Sequence, residues 1–204
     1  MEIAIINFLT LGISLFLFSF LYVLSIQPAK RALKHGEKAW ADCKKIRSIS
    51  GFFEIISTIN IILWIWFPLP LVNIWIISPN IWVGVIVAVC LLIPCVILMI
   101  KGLLDAGSET LTPSKKTEMY GGIYRYIRHP QSAGEFPVFI TLGFLVNSWF
   151  IVILMCFYTV IYVPIMVYYE EKDLVRRFGD KYVEYQAQTG KIFPKLGKRA
   201  SNGS

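Results

Sequence analysis

The amino-acid sequence predicts an all-α integral membrane protein with five transmembrane helices, its N-terminus outside and a C-terminal helical tail on the cytoplasmic side. Three observations predict it. Apolar residues make up 56% of the 204-residue chain, too many for the surface of a soluble domain this size. Asp, Glu, Lys and Arg are missing from residues 3–29, 55–100 and 136–169. The basic residues fall only in the segments that a five-span topology places on one side of the bilayer.

The elements follow in order. A helix needs roughly 20 apolar residues to cross the hydrocarbon core, so the first run holds one span, about 3–26. It lacks the basic start and the small-residue cleavage site of a secretory signal. The second run is too long for one span. It is broken by Pro68-Leu69-Pro70 and Ser78-Pro79-Asn80, and reads as spans over about 51–67 and 81–104. The third run has Asn147-Ser148 at its middle and reads as a tight helical hairpin over 131–169. Segment 28–48 reads as a solvated connector or a short surface helix. Residues 1–104 thus form a three-span N-terminal part, and 105–204 carry a loop, the hairpin and the tail.

Segment 28–48 carries seven Lys or Arg, segment 101–128 five, and the stretch from Glu170 eight, which is every basic residue in the chain. The positive-inside rule puts all three in the cytoplasm. The net charge of +7 follows from that bias and implies attraction to anionic membrane lipids, not to nucleic acid. Cys43, Cys90, Cys95 and Cys156 show no metal-ligand spacing, so no metal is expected. His35 lies among lysines and receives no role. The oligomeric state is not legible.

Two polar clusters stand out. The first is Gly121-Gly122-Ile123-Tyr124-Arg125-Tyr126-Ile127-Arg128-His129-Pro130, at the mouth of the hairpin. Pro130 suits the first turn of a helix, and the N–H groups of residues 131–133 would then point outward as an anion site. The second is Glu170-Glu171, read as the C-terminal end of the last span, where acids oppose the helix dipole unless a cation compensates them. The hairpin brings both clusters to one membrane face. Glu135, one turn inside the first hairpin helix, is an ionisable group where such groups are expensive.

These residues resemble the Gly-x-Tyr-x-x-x-Arg-His-Pro signature of the isoprenylcysteine carboxyl methyltransferases and their phospholipid methyltransferase relatives, with a prokaryotic member as the expected kind. The second half is similar too: Glu170-Glu171, Leu174, Phe178-Gly179, Tyr182, Tyr185 and Phe193-Pro194. The resemblance covers about 120–194. It implies S-adenosylmethionine, leaving as S-adenosylhomocysteine, held on the cytoplasmic side by Tyr124, His129, Pro130, Gln131, Ser132 and Glu170. It extends the same role to Lys116, Thr117, Glu118 and Met119, and to Glu109 in the preceding loop. Arg128 and Glu171 take the catalytic role, and Glu135 and Met166 the acceptor side.

A lipophilic or lipidated acceptor would enter sideways from the bilayer, with carboxyl O-methylation expected first and amine or thiol methylation behind it. Two departures bear on this. Ser132 stands where relatives often have Tyr. Met166 stands where many eukaryotic members have an Arg that holds the acceptor carboxylate. Membrane sterol reductases, which use NADPH, look similar in the same region and form the alternative reading.

Overall fold

The computed structural model describes residues 1–110, 112–113 and 121–195. Seven α-helices follow one another: α1 Glu2–Ser25, α2 Pro28–His35, α3 Lys38–Leu63, α4 Ile81–Ala106, α5 Pro130–Leu145, α6 Trp149–Phe178 and α7 Asp180–Gln188. There is no strand among the described residues. Helices α1, α3, α4 and α6 are long and apolar enough to cross a membrane. Helix α5 has 16 residues, about 24 Å at 1.5 Å per residue, short of the roughly 30 Å hydrocarbon core. Large apolar side chains such as Phe16, Phe20, Phe52, Ile86, Ile93 and Phe157 stay exposed, as lipid-facing surfaces do.

Apolar helices gain little from one another in lipid, so small polar groups and close backbone approach hold them together. Helices α1 and α3 run antiparallel along such a seam. Asn7 Nδ2 donates to the Asn60 carbonyl at 3.1 Å, Ser57 Oγ to Ser14 Oγ at 2.8 Å, and Ser50 Oγ to the Phe18 carbonyl at 3.0 Å. Helices α4 and α5 touch at Gly134, where a Cβ would sit 2.4 Å from the Cys95 carbonyl oxygen and 2.5 Å from the Met99 nitrogen. Phe18, Phe136, Tyr158 and Tyr162 form an aromatic core among α1, α5 and α6, with ring centroids 5.3–6.5 Å apart.

The far end of the bundle is tied by the α5–α6 reversal. Asn147 turns the chain with φ 55°. Its side chain accepts from the Ser78 N–H at 3.1 Å and donates to the Ser78 carbonyl at 2.9 Å. Asn80 and Ser148 cap α4 and α6. The turn expected at Asn147-Ser148 is therefore present and also anchors the α3–α4 connection.

Three expectations are corrected. Of the two readings of segment 28–48, the connector is replaced by helix: the short helix α2 occupies its first half, and α3 begins at Lys38 and runs unbroken into the apolar stretch. The last span does not end at Glu170-Glu171. Helix α6 continues two further turns to Phe178, so these acids sit inside a helix and the dipole argument does not apply. At the start of α5, the Ala133 N–H donates to the His129 carbonyl at 3.0 Å, leaving residues 131 and 132, not 131–133, beyond the reach of the helix ladder.

Candidate functional site

The site is built where the bundle meets the charged segments. Pro130 is the first residue of α5, and its fixed φ starts the helix directly after His129. The Gly122 backbone, at φ 57°, turns against Asp105 at the end of α4. A Cβ there would lie 2.2 Å from the Asp105 carboxylate, which accepts from the Ile123 N–H at 2.7 Å. Glycine takes this φ without strain, and any side chain here would push the Asp105 carboxylate off the Ile123 N–H. The C-terminal segment then locks the block in place: the Arg128 N–H donates to the Gly190 carbonyl at 2.8 Å and the His129 N–H to the Lys191 carbonyl at 3.1 Å.

His129 is buried and clasped by both acids. Its Nδ1 lies 3.0 Å from Glu170 Oε2 and its Nε2 3.1 Å from Glu171 Oε1. Burial disfavours the imidazolium, but the charges and hydrogen bonds of Glu170 and Glu171 outweigh it, and the pKa is pushed up to about 9. His129 is therefore a cation at neutral pH, donating from both nitrogens.

Glu171 accepts from Arg128 Nε at 2.8 Å and from Gln186 Nε2 at 3.1 Å, with Lys191 Nζ 3.9 Å away. Arg128 also donates to the carbonyls of Gln186, at 3.0 Å, and Thr189. Both side chains are nearly enclosed, so this pair fastens α6, α7 and the tail to the block. Glu170 differs. It pairs with His129 through one oxygen, yet its side chain keeps 30% of its exposure and lines a cleft.

That cleft is a narrow cavity of about 70 Å³ that opens to solvent. Tyr124, His129, Gln131, Ser132, Glu170 and Glu109, each expected on the cofactor side, line it together. Gln131 Nε2 donates to Thr110 Oγ1 at 2.7 Å and the Tyr124 hydroxyl at 3.0 Å. Burial, with the Glu170 charge, pushes the Tyr124 phenol up, so it stays a neutral donor, here to the Gly102 carbonyl at 3.2 Å. Glu109 is held by Arg177 at 2.6 Å.

Pro130 is fully buried behind this wall. Lys116, Thr117, Glu118 and Met119 lie outside the described residues. Tyr22, Arg47 and Arg177 line the cleft without having been anticipated. Arg47 donates to the Glu109 carbonyl at 3.3 Å and the Thr110 carbonyl at 2.6 Å. Nothing in the local sequence marks it among the seven basic residues of segment 28–48.

A second, apolar groove shares Ser132 with the cleft. Leu98, Ile127, Phe136, Val163 and Phe193 line most of it, with Thr159 its other hydroxyl, and among the described residues no charged side chain faces it. Met166 is fully buried, its sulfur 3.9 Å from Ser132 Oγ. Among the described residues no cluster of His, Cys, Asp or Glu could hold a metal ion.

Fold and site together define a multi-helix membrane protein with a charged cleft at the mouth of a helical hairpin and an apolar groove opening beside it. The chain belongs to the phospholipid methyltransferase family, which it matches over residues 79–181, and the resemblance seen in the sequence holds at that level. It is 28% identical over 195 residues, 85% of this chain and 70% of the relative, to the methanethiol S-methyltransferase of Pseudomonas deceptionensis. It is 35% identical over 82 residues to the methanethiol S-methyltransferase of Crocosphaera subtropica, and 31% identical over 94 residues to methanethiol S-methyltransferase 1 of Bradyrhizobium diazoefficiens. These two stretches take in 38% and 43% of this chain and only 29% of either relative.

Proposed function

We propose that this protein is an S-adenosylmethionine-dependent membrane methyltransferase whose acceptor is an apolar thiol. The observation that carries the reading is Ser132, the common wall of a polar cleft and an uncharged groove. Such a junction suits a zwitterionic cofactor on one side and an apolar acceptor on the other. When bound, the cofactor supplies a methyl group activated by a sulfonium.

The donor set fits it. Glu170 offers a carboxylate oxygen for ribose hydroxyls or the amino group, Tyr124 and Tyr22 offer rings, and the N–H groups of Gln131 and Ser132 at the start of α5 suit its carboxylate. Arg128 and Glu171 act by positioning: they hold His129, and His129 holds Glu170. Alignment of two reactants can itself supply up to ~7–11 kcal/mol of a barrier, and Ile192, Phe193 and Pro194 of the tail form one wall of the groove in which the acceptor would be aligned.

The uncharged groove favours a thiol over the carboxylate that the wider resemblance implies, because a carboxylate needs a cation there and Met166 provides none. The names of the bacterial relatives point the same way. Five spans, with the cleft facing the cytoplasm and the acceptor entering from the bilayer, complete the proposal. The test is methyl transfer from labelled S-adenosylmethionine to an alkyl thiol, a fatty acid and an amine of equal chain length. Labelled thioether alone supports the thiol reading, and labelled ester alone overturns it.

A further inference from the structure

One hydroxyl in the apolar groove is left without a partner. Thr159 Oγ1, on the α6 wall, is buried and makes no hydrogen bond among the described residues. Other hydroxyls on the long helices bond back to the preceding turn. Thr10 donates to the Ile6 carbonyl, Ser19 to Leu15, Ser57 to Phe53 and Thr58 to Glu54, at 2.7–3.1 Å. Such a bond satisfies a hydroxyl within its own helix, and Thr159 forgoes it. A buried hydroxyl left unpaired costs free energy, and a ligand that pairs with it recovers that cost.

The depth of this hydroxyl follows from the helix register. Ser132, shared by cleft and groove, lies 3.9 Å from the Met166 sulfur. Thr159 precedes Met166 by seven residues on α6, two turns along one face, which puts it about 10 Å deeper at 1.5 Å per residue. The ring pairs between α5 and α6 keep step with this, Phe136 on Tyr162 at 5.3 Å and Phe139 on Tyr158 at 6.4 Å. Between the two levels the wall is apolar, formed by Phe136, Pro137 and Val163, and Glu135, expected on the acceptor side, is not part of it. The groove holds about 300 Å³, several times the ~30 Å³ share of one water molecule, so a one-carbon thiol would leave most of it empty.

We propose that Thr159 is a specificity residue of the acceptor site, and that the acceptor is an extended apolar thiol with a hydroxyl about 10 Å from its sulfur. The inference rests on the thiol reading above and adds the acceptor's length and its far end. The sulfur sits at Ser132, the chain lies along Phe136 and Val163, and the hydroxyl pairs with Thr159 Oγ1. A charged far end does not suit this groove, because among the described residues no charged side chain faces it and an unpaired ion in apolar surroundings is costly. Thr159 is too far from Ser132 to touch the transferred methyl group, so its contribution is to binding.

The test compares 8-mercapto-1-octanol, whose extended chain is about that long, with 1-octanethiol as acceptors for the full-length protein in detergent. Wild type, Thr159→Val and Thr159→Ser are assayed with labelled S-adenosylmethionine. Valine keeps the side chain's shape and removes the hydroxyl. The ratio of kcat/KM for the hydroxylated over the plain thiol should fall about three- to tenfold in Thr159→Val, the size of one neutral hydrogen bond. The loss should lie in KM with kcat nearly unchanged, and serine should restore the ratio. An unchanged ratio, or equal losses on both thiols, would overturn the proposal. A lowered melting temperature in Thr159→Val would also overturn it, by showing that the hydroxyl has a partner within the protein. If wild type methylates neither thiol, the thiol reading falls, and the same comparison with octanoate and 8-hydroxyoctanoate decides the Thr159 contact alone. A hydroxyl preference lost in Thr159→Val upholds that contact, and no such preference overturns it.

Discussion

Raising the pH through the titration of His129 should loosen the site from within. In the folded protein its pKa stands at about 9 against an ordinary 6.5, because Glu170 and Glu171 hold the imidazolium more strongly than burial opposes it. The folded value lies above the unfolded one, so the contribution to stability is complete below pH 6.5 and is lost as the pH climbs through 9. At 1.36 kcal/mol per pH unit separating the two values, the stake is roughly 3 kcal/mol.

For a chain of this size, 1 kcal/mol moves a melting temperature by roughly 2–4 °C. The melting temperature of wild type should therefore exceed that of His129→Gln by roughly 6–12 °C at pH 6, beyond whatever difference remains at pH 10. Tryptophan fluorescence can follow the transition in detergent. The chain has only two histidines, so a His35→Asn background leaves one imidazole whose NMR titration reads the pKa directly. An imidazole titrating at or below 6.5, or a melting difference that does not change with pH, would refute the clasped-imidazolium reasoning.

Two further predictions concern the scaffold. Gly134→Ala places a Cβ against backbone atoms of Cys95 and Met99 that cannot rotate away. It should cost about 1–3 kcal/mol as an overpacked contact, visible as a lowered melting temperature. Asp173 is buried in α6 and accepts from the Ala29 and Lys30 N–H groups at 3.0 and 2.8 Å, capping α2 from another helix. Asp173→Ala should cost about 1–2 kcal/mol and speed hydrogen exchange at residues 29 and 30 while leaving exchange in α4 unchanged.

The long helices were legible because charge-free runs of membrane-spanning length leave few alternatives, and Asn147 was legible as a turn. Hydropathy, however, marks where a chain leaves lipid, not where a helix stops. That is why α3 begins well before its apolar stretch and α6 runs beyond Glu170-Glu171. The cleft residues carried by the Arg-His-Pro block and the acid pair were legible through their motif. Arg47, Arg177 and Tyr22 were not, since their place depends on how α1, α3 and α6 pack and not on their neighbours in sequence.

The most direct test of the cofactor site is calorimetric titration of S-adenosylhomocysteine into the wild-type protein and Glu170→Gln, with NADPH as a separate titrant. The account predicts saturable binding of S-adenosylhomocysteine to wild type, weakened at least tenfold, or about 1.4 kcal/mol, in Glu170→Gln, and no heat from NADPH. Binding of NADPH alone, or S-adenosylhomocysteine binding unchanged by the substitution, would contradict it.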